Sequence, residues 1–124
     1  MARIEDIEVF YKGKRFLLKV KRVSFFGRIR GLMFRKKYSQ ELLFDFFREC
    51  KEPIHSLFVF FPFLALWLNE RNEILEYRIV KPFTLSVKPK RSFYRLIEIP
   101  LSMEKFENSE LVNFLVGKER FKYD

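Results

Sequence analysis

Residues Ile4 to Tyr11 and Arg15 to Val23 each alternate in polarity, with only Lys12-Gly13-Lys14 between them. In the first run Ile7, Val9 and Tyr11 share one side, and Asp6, Glu8 and Phe10 the other. In the second run Phe16, Leu18 and Val20 oppose Lys19 and Lys21. Successive side chains leave a pleated strand on opposite faces, so a period of two predicts half-buried strands. Gly13 takes φ > 0 at no steric cost and lets the chain reverse. The two runs therefore predict a β-hairpin with one face turned to a core and one wet, basic face.

Further runs of strand length follow. Glu41–Phe47, Ile54–Phe61, Phe63–Leu68, Ile74–Val80 and Phe93–Ile99 are apolar or alternating, and Leu85–Val87 and Arg120–Tyr123 read as short additions. Pro62 cannot donate to a sheet ladder and marks an edge, bulge or bend. Asn69 to Asn72 reads as a turn, and Glu49 to Pro53 as a loop. Two stretches carry helical spacing instead. Phe25, Ile29, Leu32 and Met33 recur at threes and fours after a candidate N-cap, Ser24, and Met103 to Phe114 does the same with a break at Asn108-Ser109. About seven strands and one or two short helices, without βαβ alternation, predict a mostly β single domain over residues 1–124. The expected architecture is an antiparallel β-sandwich or barrel. The 17 Phe, 5 Tyr and 1 Trp supply large flat side chains for such a core.

Several chemistries lack their residues. Cys50 is the only cysteine, which excludes an internal disulfide and fits a reducing compartment. One Cys and one His55 cannot furnish a tetrahedral zinc site, and His55 alone is a weak basis for a nucleophilic triad. Gly27 and Gly31 lack the Lys-Ser/Thr that a phosphate-cradling loop needs. Glu98 and Glu76 would form a carboxylate pair if their strands were neighbours, although wet strand faces carry such acids routinely. No metal and no cofactor is expected. The longest uncharged run, Ser56 to Asn69, is shorter than the ~20 residues a spanning helix needs, and Met1 to Ile7 lacks an apolar leader core. The expectation is a cytoplasmic protein without a membrane partner.

The net charge of +9 is uneven. Residues 1–48 carry 13 Lys/Arg against 5 Asp/Glu, whereas residues 49–124 carry 12 against 11. An excess of this kind attracts anionic partners at long range. Arg28, Arg30, Arg35, Lys36 and Lys37 are accordingly the candidate anion- or partner-binding residues, with Lys19, Lys21 and Arg22 just before them. Phe25, Phe26, Phe34 and Tyr38 are interleaved, the mixture that single-strand binders use. Arg35 also has a structural role open to it, lying across the domain to a carboxylate such as Glu98.

Three ordered stretches resemble the domain-of-unknown-function family 192. They are Ser24 to Arg35, ending Gly31-Leu32-Met33-Phe34-Arg35; Phe61 to Phe83, with Phe61-Pro62-Phe63 and Val80-Lys81-Pro82-Phe83 at its ends; and Tyr94 to Pro100. The resemblance implies a compact β-rich domain with a short packed helix, and no assigned activity. The chain departs from the family pattern at Leu64, where an Asp is usual, and at Lys118, where Gly-Asp is usual. The functional expectation is thus a non-catalytic domain binding a small ligand or a protein partner, as a monomer or weak homo-oligomer. The alternative is a module for nucleic acid or another polyanion that uses the basic segment 19–37.

Overall fold

The computed structural model describes residues 3–23, 40–54 and 59–117. Among these, six strands form one sheet: β1 (Arg3–Tyr11), β2 (Lys14–Arg22), β3 (Glu41–Cys50), β4 (Phe63–Leu68), β5 (Ile74–Val80) and β6 (Phe93–Pro100). Two short helices follow, α1 (Met103–Asn108) and α2 (Glu110–Val116). The order across the sheet is β1-β2-β3-β6-β4-β5, and only the β2–β3 pair is parallel. A parallel pair needs a long connection between its strands, and β2 and β3 are well separated in sequence. The β-rich single-domain class is as expected. The sheet curls rather than splitting into two. Its far edges meet where the Phe10 N–H donates to the Asn72 carbonyl at 2.9 Å and Phe10 bridges Glu73.

The hairpin forms for local reasons. Lys12 and Gly13 have φ of 49° and 81°, the two positive values a tight hairpin turn requires. Tyr11 pairs with Lys14, and the register runs back to Arg3 opposite Arg22. Along β2 Phe16, Leu18 and Val20 are buried while Leu17 and Lys19 are exposed, as the alternation dictates. All six residues of β4 are buried, because this strand is covered on both faces.

Two apolar cores follow from that double coverage. The concave core gathers Val9, Leu18, Val20, Leu43, Leu64, Leu66, Ile97 and Ile99 from the strands with Leu111, Val112, Leu115 and Val116 of α2. The convex core contains Leu42, Phe44, Phe61, Phe63, Trp67, Phe93 and Leu96. Burial at roughly 25 cal/mol per Å² of apolar surface is the main stabilising contribution in both.

Ser109 explains the break between the helices. Its N–H donates to the Lys105 carbonyl at 2.8 Å and closes α1, while its Oγ accepts from the Val112 N–H at 3.2 Å and opens α2. Gly117 ends α2; a Cβ there would lie 2.4 Å from the Asn113 carbonyl oxygen, so a side chain would force the turn apart.

Several sequence expectations are corrected. Of the run Ile54–Phe61, Ile54 makes only an isolated bridge to Val87, and residues 59–61 form no strand, although Val59 and Phe61 are buried. Pro62, without an N–H, starts no ladder, but its carbonyl accepts from the Leu101 N–H at 3.1 Å. The stretch Leu85–Val87 is likewise reduced to the Val87 bridge. By contrast β3 passes Phe47 and reaches Cys50 through an irregularity. The cause is local: the Asp45 carboxylate accepts from the Phe47 N–H at 2.9 Å, and Phe47 takes φ 59°. The helical stretch from Ser24 to Arg35 and the final run Arg120–Tyr123 lie outside the described residues. No helix among the described residues is long and apolar enough to cross a membrane.

Candidate functional site

The concave face is apolar where α2 sits and charged at its opposite end. Glu5, Arg22, Asp45 and Arg95 occupy the same face of their strands as Val9, Val20, Leu43 and Ile97. The Arg22 guanidinium donates to both oxygens of Glu5 at 3.1 Å and to Asp45 at 3.3 Å. Arg95 Nε donates to the same Asp45 oxygen at 3.0 Å. Its Nη1 donates to the Asn72 side chain and to the Glu70 carbonyl, each at 2.9 Å. Asn72, at φ 63°, donates from its amide to the Glu8 carbonyl on β1 at 3.2 Å. A ring of hydrogen bonds thus runs through β1, β2, β3, β6 and the β4–β5 turn and returns to β1.

Charges in this ring balance. The Asp45 side chain is 6% exposed and lies between two cations, so neither it nor they are buried alone. Arg22 is held above its ordinary pKa, first by the hydrogen bond it donates to Glu5, against the opposing effect of burial, and then by the charges of Glu5 and Asp45. The ring closes the half-barrel at the end that α2 leaves open. Glu41 is held in the same way near α1: one oxygen meets Lys105 Nζ at 2.7 Å, although its other oxygen has no partner among the described residues.

The convex face differs. Glu98 is 5% exposed, paired across the sheet with Leu42 on one side and Ala65 on the other. Burial pushes its carboxyl up to about 8. At neutral pH it is therefore mostly protonated and able to donate a hydrogen bond. Trp67 lies on the same face, fully buried, and its Nε1–H finds no partner among the described residues. The Arg78 guanidinium stands 5.8 Å from the Trp67 ring centroid.

Two open depressions flank the β4–β5 turn. One, of about 370 Å³, is lined by Glu49, Glu70, Arg71, Arg91 and Tyr94 among others. The other, of about 480 Å³, lies over Phe10, Lys12 and Glu73. Arg71 and Leu75 border both. The turn itself is rigid: the Asn69 side chain accepts from the Arg71 and Glu73 N–H groups, each at 2.9 Å. Arg95 secures it from below through Glu70 and Asn72.

The residues singled out from the sequence divide into two sets. Arg28, Arg30, Arg35, Lys36, Lys37 and His55 lie outside the described residues, as does an Arg35–Glu98 contact. Of the preceding cations, Lys19 meets Asp6 at 3.2 Å and Arg22 belongs to the ring. The Glu98–Glu76 pairing is not formed, because β4 lies between β5 and β6. Glu76 instead accepts from Arg78 at 2.7 Å and from the Lys90 N–H at 2.8 Å. Sequence reasoning missed the ring. The available signal was a polar residue at the parity of each strand's buried residues: Glu5 before Ile7 and Val9, Arg22 after Val20, Asp45 after Leu43, Arg95 before Ile97.

Comparison with known proteins bears on the fold. The chain is similar to a candidate transcription regulator from Sinorhizobium meliloti 1021, with TM-score 0.72, 17% identity, and coverage of 88% of this chain and 89% of that one. It is also similar to a protein of unknown function from Novosphingobium aromaticivorans DSM 12444, with TM-score 0.69, 12% identity, and coverage of 81% and 75%. At such identities the likeness is one of fold. No family model and no curated protein matches the chain.

Proposed function

We propose that this is a small cytoplasmic binding domain without chemistry of its own, taking a ligand or protein partner in the polar groove beside the β4–β5 turn. The supporting observation is the fixed base of that groove. Arg95 bonds the Glu70 carbonyl and the Asn72 side chain from within the ring, so the mixed-charge rim of Glu49, Glu70, Arg71 and Arg91 stands on a preorganised turn. At about 370 Å³ the groove falls in the size range of small-ligand sites. The carboxylates nearest to catalytic use, Asp45, Glu76 and Glu5, are engaged in holding the fold. Cytoplasmic placement is supported by Cys50, a buried free thiol.

Membership of family 192 is supported by the second and third resembling stretches, which supply β4, β5 and β6 around the Asn69–Asn72 turn. The test of the binding reading is amide-shift mapping by NMR against fragment and peptide libraries. Perturbations should centre on Arg71, Arg91 and Tyr94, and the double substitution Arg71→Glu, Arg91→Glu should abolish them. Turnover in a broad hydrolase screen that the same substitution removes would overturn it.

The second reading, polyanion binding through segment 19–37, is favoured by the charge asymmetry and by the description of the Sinorhizobium protein. With Lys19 and Arg22 in ion pairs, it rests on Arg28, Arg30, Arg35, Lys36 and Lys37. Its test is a salt titration of binding to single- and double-stranded RNA and DNA, where phosphate contacts weaken steeply as salt rises.

A further inference from the structure

The segment between β5 and β6 borders the groove at its end, through Arg91 and Ser92, and carries a separate feature before them. Residues 81–92 hold Lys81, Lys88, Lys90 and Arg91 and no acid. Between these cations the chain exposes apolar side chains: Phe83 is 57% exposed and Leu85 77%. Phe60, 60% exposed, packs edge-on against Phe83 with centroids 5.4 Å apart and planes at 78°.

Their exposure is built in. Phe83 has φ 60°, a backbone state that bulky residues rarely enter. The flanking backbone holds it there. Thr84 Oγ1 donates to the Lys81 carbonyl at 2.8 Å, Val87 and Ile54 exchange two backbone bonds at 2.7 and 2.9 Å, and the Lys90 N–H is bound by Glu76. Backbone strain that the surroundings enforce points to a use for the side chain it presents.

We propose that this loop docks the protein on an anionic lipid surface, with Phe60, Phe83 and Leu85 entering the interface and Lys88 and Lys90 facing the headgroups. An apolar tip flanked by Lys/Arg matches both layers of such a surface, and each cation near it adds roughly fivefold in affinity. The most exposed member, Leu85, is aliphatic and cannot stack on a base, and the edge-on Phe pair hides part of a ring face. Those features favour lipid over single-stranded nucleic acid, which needs open ring faces. The sequence expectation is of no membrane partner; a peripheral attachment departs from it, and its lipid-facing residues are separate from the groove-lining Arg91 and Ser92.

The test is flotation of the full chain with vesicles of phosphatidylcholine and phosphatidylserine at 7:3, beside pure phosphatidylcholine, at 0.1 M salt. Binding is expected to the anionic vesicles and at least tenfold weaker to the neutral ones. Phe83→Asn with Leu85→Ser, and separately Lys88→Glu with Lys90→Glu, should each weaken it at least tenfold while circular-dichroism melting stays unchanged. Leu17→Ser, at a residue 67% exposed on β2, should leave binding intact. Absent vesicle binding, equal binding to both vesicle types, insensitivity to both double substitutions, or binding of polyuridylate alone would each overturn the proposal. The groove reading would survive any of these, since its own readout is the shift map at Arg71 and Arg91.

Discussion

The concave and convex faces of the sheet bury their charges in opposite ways. On the concave face every buried carboxylate meets a cation: Asp45 meets Arg22 and Arg95, and Glu41 meets Lys105. On the convex face Glu98 lies between Leu42 and Ala65 of the neighbouring strands, and burial shifts its carboxyl up. The difference teaches where each face obtains its stability. The concave charges substitute for hydrophobic closure at the end that α2 does not reach. Glu98 substitutes for nothing; it is tolerated in the neutral form, at the cost of a pH-dependent stability.

Removing the hub of the ring should have the largest effect. Asp45→Ala leaves Arg22 and Arg95 without their shared acceptor and frees the Phe47 N–H, and should cost roughly 3 kcal/mol in urea unfolding. A loss below about 1 kcal/mol would mean that the ring is solvated and the two faces differ less than their geometry suggests. Glu98→Gln sharpens the other side of the comparison. The folded pKa of about 8 lies above the unfolded value, so the folded state binds the proton more tightly. That contribution is fully present below the unfolded pKa and is lost as pH rises toward 8, with a slope of at most ~1.4 kcal/mol per pH unit. Urea midpoints of Glu98→Gln between pH 5 and 8.5 should lie on a flatter curve than those of the natural chain. A wild-type curve already flat over that range would count against a neutral Glu98.

A smaller effect is expected where a concave acid already has an orphaned oxygen. Lys105→Met takes from Glu41 the ammonium that one of its oxygens meets, and should lower stability by about 1–2 kcal/mol in urea unfolding. No loss would show that the pair contributes little beyond the aliphatic stem that methionine keeps. The smallest effect belongs to the exposed pair Lys19–Asp6, with side chains 73% and 58% exposed. Lys19→Ala should leave the melting curve unmoved, because an exposed pair gains little over its hydration.

Much of the strand content was legible because it depends on period and punctuation. The hairpin followed from alternation around Gly13, β4 and β5 from apolar runs around Asn69–Asn72, and the helix break from Asn108-Ser109. The misreadings have one physical origin. Ile54–Phe61 has a strand's composition, but a strand also needs a partner edge, and among the described residues only Ile54 finds one, in Val87. β3 outlasted its pattern because Asp45 caps the Phe47 N–H and lets the chain resume pairing at Cys50. The Glu98–Glu76 pair failed because β4 lies between β5 and β6, a non-local order that no window of sequence encodes.

The candidate site was less legible than the fold. The cations chosen from the sequence were picked by density along the chain, whereas Arg22 and Arg95 matter by the strand face they occupy. Leu85 reads in the sequence as part of a short strand, whereas the structure leaves it exposed beside Phe83, which takes a left-handed backbone.

By itself the sequence determined the class of the fold, because periodicity, turn residues and caps act over a few neighbouring residues, and it determined the basic balance of the chain. Only the tertiary structure decided which charges neutralise one another, which glutamate is buried between apolar neighbours and where the groove opens. Those depend on the order and curl of the strands, which bring Glu5, Arg22, Asp45, Arg95 and Asn72 together across separations that local rules do not reach.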